Sequence, residues 1–259
     1  MELGIRGKRV LITGASQGIG KEIALAFARE ECRITIVARR EGELRETLKQ
    51  MGGESRGHAL HVADLMETDE RRKLIRHSTT QGEGFDIVVH NVGGTLNIKD
   101  PLAPASDWNR VWYFNVGIAI DLNDLLIPEM RKKRWGRIVH VSSISAESVR
   151  GSVPYAAAKA YLNAYVKGLG RAFAPEGIVI SAIMPGAVYA PGGPWDGNSD
   201  INRKDPEGFL RKQADFLRHH QAVGRLGNAE EIAPFAVFLA SRFATFAQGS
   251  IVPVDGGTM

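Results

Sequence analysis

Short apolar runs rich in Ile and Val occupy residues 9–13, 33–37, 58–62, 86–90, 137–142, 178–183 and 250–254. Each is too short for a helix, and each is apolar continuously rather than at alternate positions. That pattern predicts strands buried on both faces. Between them, amphipathic stretches at 21–30, 40–51, 67–79, 116–134 and 155–174 carry apolar residues at helical spacing. The alternation predicts an α/β fold: a single doubly wound parallel sheet, Rossmann-type, of about seven strands with helices on both faces.

The pattern runs from Val10 to Val254 without a linker or low-complexity segment, so residues 1–259 are expected to form one domain. The long irregular stretch is 187–204, rich in Gly, Pro, Asn and Asp. Behind it, Asp205-Pro206-Glu207 supplies an N-cap, a proline and an acid, the ingredients of a helix start. Phe209, Gln213, Phe216 and Leu217 then share one face of a short helix. An ordered helix with a loose lead-in predicts a substrate lid over 187–220. Within it, Trp195, Asp196, Asn198 and Asp200 point to a polar or mixed substrate, and Trp195 itself is expected to pack against its own domain.

Composition removes several function classes. Hydrophobic residues make up 44% and charged residues 24%, which fits a globular protein and not a disordered one. The net charge is +4. The basic run Arg131-Lys132-Lys133-Arg134 reads as a solvated helix end, where cations complement the dipole. No interleaved aromatics or binding motif accompany it, so no nucleic-acid partner is expected. Cys32 is the lone cysteine and cannot form an internal disulfide. It is expected as a small buried residue in a reducing, cytoplasmic setting. No apolar run reaches the roughly 18 residues of a membrane span, and the N-terminus lacks the apolar stretch of a signal peptide. No metal is expected.

Chemistry begins where the first strand ends in Thr13-Gly14-Ala15-Ser16-Gln17-Gly18-Ile19-Gly20 and a helix follows at once. Glycines there let the backbone turn tightly and approach a pyrophosphate, and the helix N-terminus offers N–H groups and a favourable dipole. The spacing is Gly-x-x-x-Gly-x-Gly. An NAD enzyme usually carries an acid at the end of the second strand, roughly 20 residues on. This chain instead reads Val37-Ala38-Arg39-Arg40. Arginine forks suit a phosphate, so NADP(H) is favoured and NAD(H) is the alternative.

Tyr155 and Lys159 stand four apart at the start of a helical run and so share a face. An ammonium about 4 Å from a phenol contributes roughly 4 kcal/mol at an effective dielectric of 20. That lowers the phenol pKa by roughly three, before burial opposes it, and leaves a group suited to acid–base work near neutrality. Ser142 or Ser143 could hold a substrate oxygen.

Together these motifs resemble those of the short-chain dehydrogenase/reductase family over nearly the whole chain. The terminal Asp255-Gly256-Gly257 is similar to the 3-oxoacyl-carrier-protein reductase branch, as is Gly224-Arg225-x-Gly227 leading into Glu230-Glu231-Ile232-Ala233. The resemblance implies hydride transfer between a nicotinamide and a ketone or secondary alcohol. It implies Tyr155 as acid–base, Lys159 lowering its pKa and binding the nicotinamide ribose, Ser143 orienting the carbonyl, and Asn115 holding a water that links Lys159 to solvent. Ser142 and Ser143 both have an acceptable spacing to Tyr155; Ser143 is chosen because it aligns better with the preceding strand. The cofactor set implied is Gly14, Ser16, Gln17, Gly18, Ile19, Gly20, Arg39, Arg40, Asp64, Leu65, Asn91, Val92, Gly93, Tyr155, Lys159, Pro185, Gly186 and Val188, with Asp64 on the adenine. A homotetramer is also implied.

The chain departs from the family pattern in places. His90 replaces the first Asn of the usual Asn-Asn-Ala-Gly, and is expected as a hydrogen-bonded core residue. Ala187-Val188-Tyr189-Ala190 lacks the usual Thr beside the nicotinamide amide. Two other readings remain at this point: an NAD-dependent alcohol dehydrogenase of the same family, and a dinucleotide-binding regulator without turnover.

Overall fold

The apolar runs become β1 (Arg9–Thr13), β2 (Arg33–Ala38), β3 (Ala59–Val62), β4 (Ile87–His90), β5 (Gly136–Val141), β6 (Ile178–Pro185) and β7 (Ile251–Val254). The computed structural model describes residues 1–80, 84–148, 151–191, 193, 195–199 and 202–258, with residues 77–80 by backbone alone. All strand pairs are parallel, in the order β3-β2-β1-β4-β5-β6-β7. The order reverses direction between β1 and β4. A crevice opens there at the carboxyl ends of the strands, the usual ligand position of such a sheet.

Helices α1 (Gly18–Arg29), α2 (Glu41–Gln50) and α3 (Thr68–Thr80) follow the first three strands. The chain is then helical from Ala105 to Lys133, as α4 (Ala105–Trp112), one wide π-turn (Tyr113–Gly117) and α5 (Ile118–Lys133). The short α6 (Ser145–Ser148) precedes α7 (Val153–Phe173), and α8 (Pro206–His220) and α9 (Ala229–Ala240) complete the set. The helix expected from 116 therefore starts eleven residues earlier, at Ala105. Its first turns are mostly polar and aromatic, which hid the helical period.

Alternate strand residues feed two cores. Val10 and Ile12 join Ile23, Phe27, Leu44 and Ile232 on one face. Leu11 and Val88 join Leu74, Leu122, Leu162 and Val166 on the other. This explains the continuous apolar runs of the central strands: every residue of β4, β5 and β6 is buried, while the edge strands β3 and β7 are partly open to water. Cys32 is buried, its thiol facing the Ile5 carbonyl, and burial pushes it up to about 12. It is thus a packing residue and not a nucleophile. The basic run ends α5 as expected: Lys132 pairs with Glu129, Lys133 with Asp86, and Arg134 takes the left-handed cap conformation. Among the described residues, no helix is long and apolar enough to cross a membrane.

Candidate functional site

The turn between β1 and α1 is built by contact rather than by flexibility alone. Gly14 and Gly18 have φ of +68° and +57°. A β-carbon on Gly20 would stand 2.4 Å from both the Gly14 carbonyl oxygen and the Asn91 amide nitrogen. Asn91 in turn donates to that same Gly14 oxygen at 2.9 Å. The Thr13 hydroxyl accepts from the Asn91 and Val92 amides, so the ends of β1 and β4 are locked together. Helix α1 begins at Gly18 with no side-chain cap and no acid in its first turn. Uncapped amides and a positive dipole end facing a crevice fit the pyrophosphate of a dinucleotide.

Ala38 ends β2, and no acid stands there. Arg40 donates to the Ser16 hydroxyl at 3.1 Å and pairs with Glu43, while Arg39 lies 3.9 Å from Asp64. Both guanidinium groups are substantially exposed beside the turn, so the donor set fits an anion at the adenosine ribose. Asp64 also accepts from the Met66 amide, which fixes the loop after β3 that carries Leu65.

The candidate catalytic residues converge at the ends of β4 and β5. Ser152 caps α7: it accepts from the Tyr155 amide and donates to the Ile98 carbonyl at 2.6 Å. Tyr155 is thereby held in the first turn, against the loop that follows β4. The Ser143 hydroxyl lies near enough to the Tyr155 phenol to pull its proton affinity down. Ser142 points elsewhere, its hydroxyl donating to Asn163 at 2.6 Å. Of the two serines, the geometry brings Ser143 to Tyr155.

Lys159 is 3% exposed and donates to the Val141 carbonyl at 2.8 Å. Its nitrogen lies 5.6 Å from the Tyr155 ring centre, so the two side chains do share a face. The expected acidification of the phenol is not found in this arrangement. Burial raises Tyr155 above its ordinary value, while the Ser143 hydroxyl pulls the other way. Burial also brings Lys159 down to about 7. Burial and the Ser143 hydroxyl set the phenol, and burial alone sets Lys159.

Asn115 sits in the π-turn, a wide helical turn often found at functional sites. Its amide oxygen accepts from the Gly94 amide at 2.9 Å, and its nitrogen donates to the Gly94 and Val111 carbonyls, both at 2.8 Å. Its side chain thus braces the loop after β4. A β-carbon on Gly93 would stand 2.6 Å from the Asn115 oxygen and 3.1 Å from the Lys159 nitrogen. Only glycine lets the backbone pass over both groups. His90 is a buried core residue as expected, bonded to Asn123 at 2.8 Å and stacked 4.7 Å from His140.

The other wall of the crevice comes from the end of β6. The Pro185 carbonyl accepts from Ile144, and Gly186 packs so closely on Asp255 that a β-carbon would meet its carbonyl at 2.6 Å. Val188 forms a bridge to Gly227. The chain then crosses the glycine turn: Ala190 packs on Gly18, and Gln17 donates to the Pro191 carbonyl at 2.8 Å. Asp205 caps α8 by accepting from Gly208. Phe209, Gln213, Phe216 and Leu217 are the half-buried face of that helix, and Trp195 packs 4.6 Å from Phe216. Asp200 lies outside the described residues.

Ser152, Asn163 and the polar partners of the π-turn were missed by sequence reasoning. Ser152 had a readable signal, a capping serine two residues before Pro154. Asn163 had none, because its partner Ser142 lies 21 positions away.

Comparison with known proteins agrees with this layout. The family model described as short chain dehydrogenase matches residues 8–193. A 3-oxoacyl-(acyl-carrier-protein) reductase of Pseudomonas aeruginosa is 34% identical over 98% of each chain. The L-sorbose reductase of Gluconobacter frateurii, solved with NADPH and L-sorbose, superposes with a TM-score of 0.90 at 31% identity, covering 100% of this chain and 98% of that one. A 3-oxoacyl-(acyl-carrier-protein) reductase of Agrobacterium tumefaciens with NADP bound gives a TM-score of 0.85 at 28% identity, covering 98% and 95%.

Proposed function

The chain belongs to the short chain dehydrogenase family, and on that premise we propose that it is an NADPH-dependent reductase of a ketone. The observation that carries the reading is the meeting of Ser143, Tyr155 and Lys159 beside a glycine turn built to receive a pyrophosphate. The bound cofactor supplies the hydride. Tyr155 gives its hydroxyl proton to the substrate oxygen, and Ser143 donates a hydrogen bond to that oxygen and orients it. Lys159, which exchanges its proton near neutrality, restores the proton on Tyr155. Asn115 holds the loop over Lys159 in place.

The phosphate-bearing cofactor is supported by Arg39 and Arg40 at a strand end without an acid. It is supported too by the NADPH and NADP in the two structurally similar reductases. Those relatives reduce a keto-sugar or a 3-oxoacyl group, and the same carbonyl chemistry serves either class. The test is NADPH consumption by the purified protein with 3-oxoacyl thioesters, keto-sugars and cyclic ketones. Turnover is expected with at least one class, and Tyr155→Phe is expected to lose about 10²–10⁴-fold while still binding NADPH. A fully active Tyr155→Phe protein sinks the mechanism.

The same reading takes 187–220 as a lid within one domain and the assembly as a cytoplasmic homotetramer. Exposed Phe235 and Phe238 on α9, with Phe243 and Phe246 in the stretch between α9 and the edge strand β7, support a covered face of that kind. Sedimentation at working concentration tests it.

A further inference from the structure

Arg71 is the largest fully buried side chain among the described residues, 1% exposed, although it opens the run Arg71-Arg72-Lys73 at the start of α3. A buried guanidinium is costly unless each donor finds an acceptor. Here the acceptors come from separate parts of the chain. One nitrogen donates to the Leu65 carbonyl at 2.5 Å. The other faces the Thr68 hydroxyl at 2.8 Å, the Tyr113 hydroxyl at 2.5 Å and the Asp121 carboxylate at 2.7 Å. The Tyr113 hydroxyl in turn donates a hydrogen bond to Asp121 at 2.6 Å.

The two ends of this network are functionally distinct. Leu65 follows Asp64 in the loop assigned above to the adenine side of the cofactor. Tyr113 is the first residue of the π-turn that carries Asn115. Its ring lies across Gly117, where a β-carbon would meet the ring at 2.3 Å. The hydroxyl anchored by Arg71 and Asp121 thus holds the ring against the turn. The turn aims Asn115 at Gly94, and Gly93 covers Lys159.

We propose that Arg71 is a positioning residue that ties the adenine-side loop to the Asn115 turn, so that cofactor seating and proton handling share one joint centred on a buried guanidinium. This rests on the cofactor reading above. The geometry requires a planar fork, because a single ammonium cannot span Leu65, Tyr113 and Asp121 together.

The test compares Arg71→Met, Arg71→Lys and Tyr113→Phe with the parent protein, reading NADPH affinity, KM, kcat and amide hydrogen exchange without cofactor. Arg71→Met is expected to raise the KM for NADPH and lower kcat, each about tenfold, through misplacement of both ends. Tyr113→Phe cuts only the link to the turn, so kcat falls about fivefold while the KM for NADPH stays within about twofold. Exchange quickens at 64–68 and 113–117 in the Met variant, and at 113–117 alone in the Phe variant. Arg71→Lys keeps the charge and is expected to restore little. Full restoration by Lys, or faster exchange spread evenly over the chain with KM and kcat unmoved, overturns the proposal. If Arg71→Met does not fold, the Tyr113→Phe split decides. If the parent binds NADPH but reduces no carbonyl, the functional reading fails while the exchange comparison still judges the joint.

Discussion

The turn after β1 and the segment after β6 face each other across one crevice, yet they are held in opposite ways. Around the turn, Gly20 meets the Gly14 carbonyl, Asn91 bonds that carbonyl, and Thr13 joins β1 to β4. Nothing there can move by a few tenths of an ångström without a clash or a lost buried bond. The segment after β6 is anchored at its ends, by the Val188 bridge to Gly227 and the Gln221 bridge to Thr258. Between these anchors, α8 contributes no fully buried residue, and its half-buried face meets Trp195 and Gly197 of the same segment. One wall of the crevice is thus an extension of the sheet core. The other is a small satellite that crosses the turn through Gln17 and Ala190. A rigid wall suits the invariant phosphates of a cofactor, and a locally stabilised wall suits opening for substrate.

The sharpest way to break this contrast is a single methyl on each side. Gly20→Ala has no room and is expected to weaken NADPH binding by about 100-fold, the upper end of an overpacking cost of roughly 1–3 kcal/mol. Gly197→Ala meets only the edge of Phe209 at 3.1 Å and should change binding by less than about twofold, since that ring can shift. Titration of NADPH fluorescence reads both; equal losses would erase the distinction between the walls.

Removing Arg39 and Arg40 together tests whether the rigid wall also selects the cofactor. Charge-assisted bonds to the phosphate are worth about 1.5–3 kcal/mol, so the preference for NADPH over NADH should fall about 10–100-fold. The ratio of kcat/KM for the two cofactors measures it, and an unchanged ratio removes the arginines from the site.

Lys159 gives the chemistry a pH signature. Its ammonium is charged below about 7 and neutral above. The proton reserve for Tyr155 is therefore present at low pH and lost as pH rises, so kcat/KM for reduction should decline through that value, by up to about tenfold per pH unit. A flat profile from roughly pH 6 to 9 contradicts this role. Stability carries the same sign in reverse. The native state holds fewer protons on Lys159 than the unfolded chain between about 7 and the ordinary 10.5. The cost of burying this lysine is complete below about 7 and fades as pH rises.

The smallest effect concerns the satellite wall alone. Asp205→Ala removes the cap of α8 and costs about 1 kcal/mol. Because α8 carries no fully buried residue, the thermal midpoint should not move, while proteolytic nicking near 205 should quicken about fivefold. A fall in the midpoint instead makes this segment part of the cooperative core.

Much of this was legible beforehand, for reasons tied to range. The seven strands could be read because burial on both sides of a parallel sheet writes itself into consecutive residues. The Gly14–Gly20 turn, the Tyr155–Lys159 spacing and the Asp205 cap are local, so spacing alone carries them. The π-turn was not legible, since nothing at 113–117 announces an extra residue in a helical turn. Nor was the balance at Tyr155, where the neighbour four residues away was visible and the burial that raises the phenol was not.

By itself, then, the amino-acid order determined which segments are strand or helix, where the glycine turn after β1 lies and which phenol and ammonium share a face. Each of these follows from periodicity or from contacts within a few residues. Tertiary structure alone decided that Ser143 and not Ser142 meets Tyr155, and that burial sets the proton affinities there. It alone separated Arg71 from the adjacent Arg72: one side chain is sealed among acceptors up to 50 positions away, the other lies in water. A charged side chain in an amphipathic helix looks the same on paper wherever it points. Its role is assigned by what the rest of the chain brings to it.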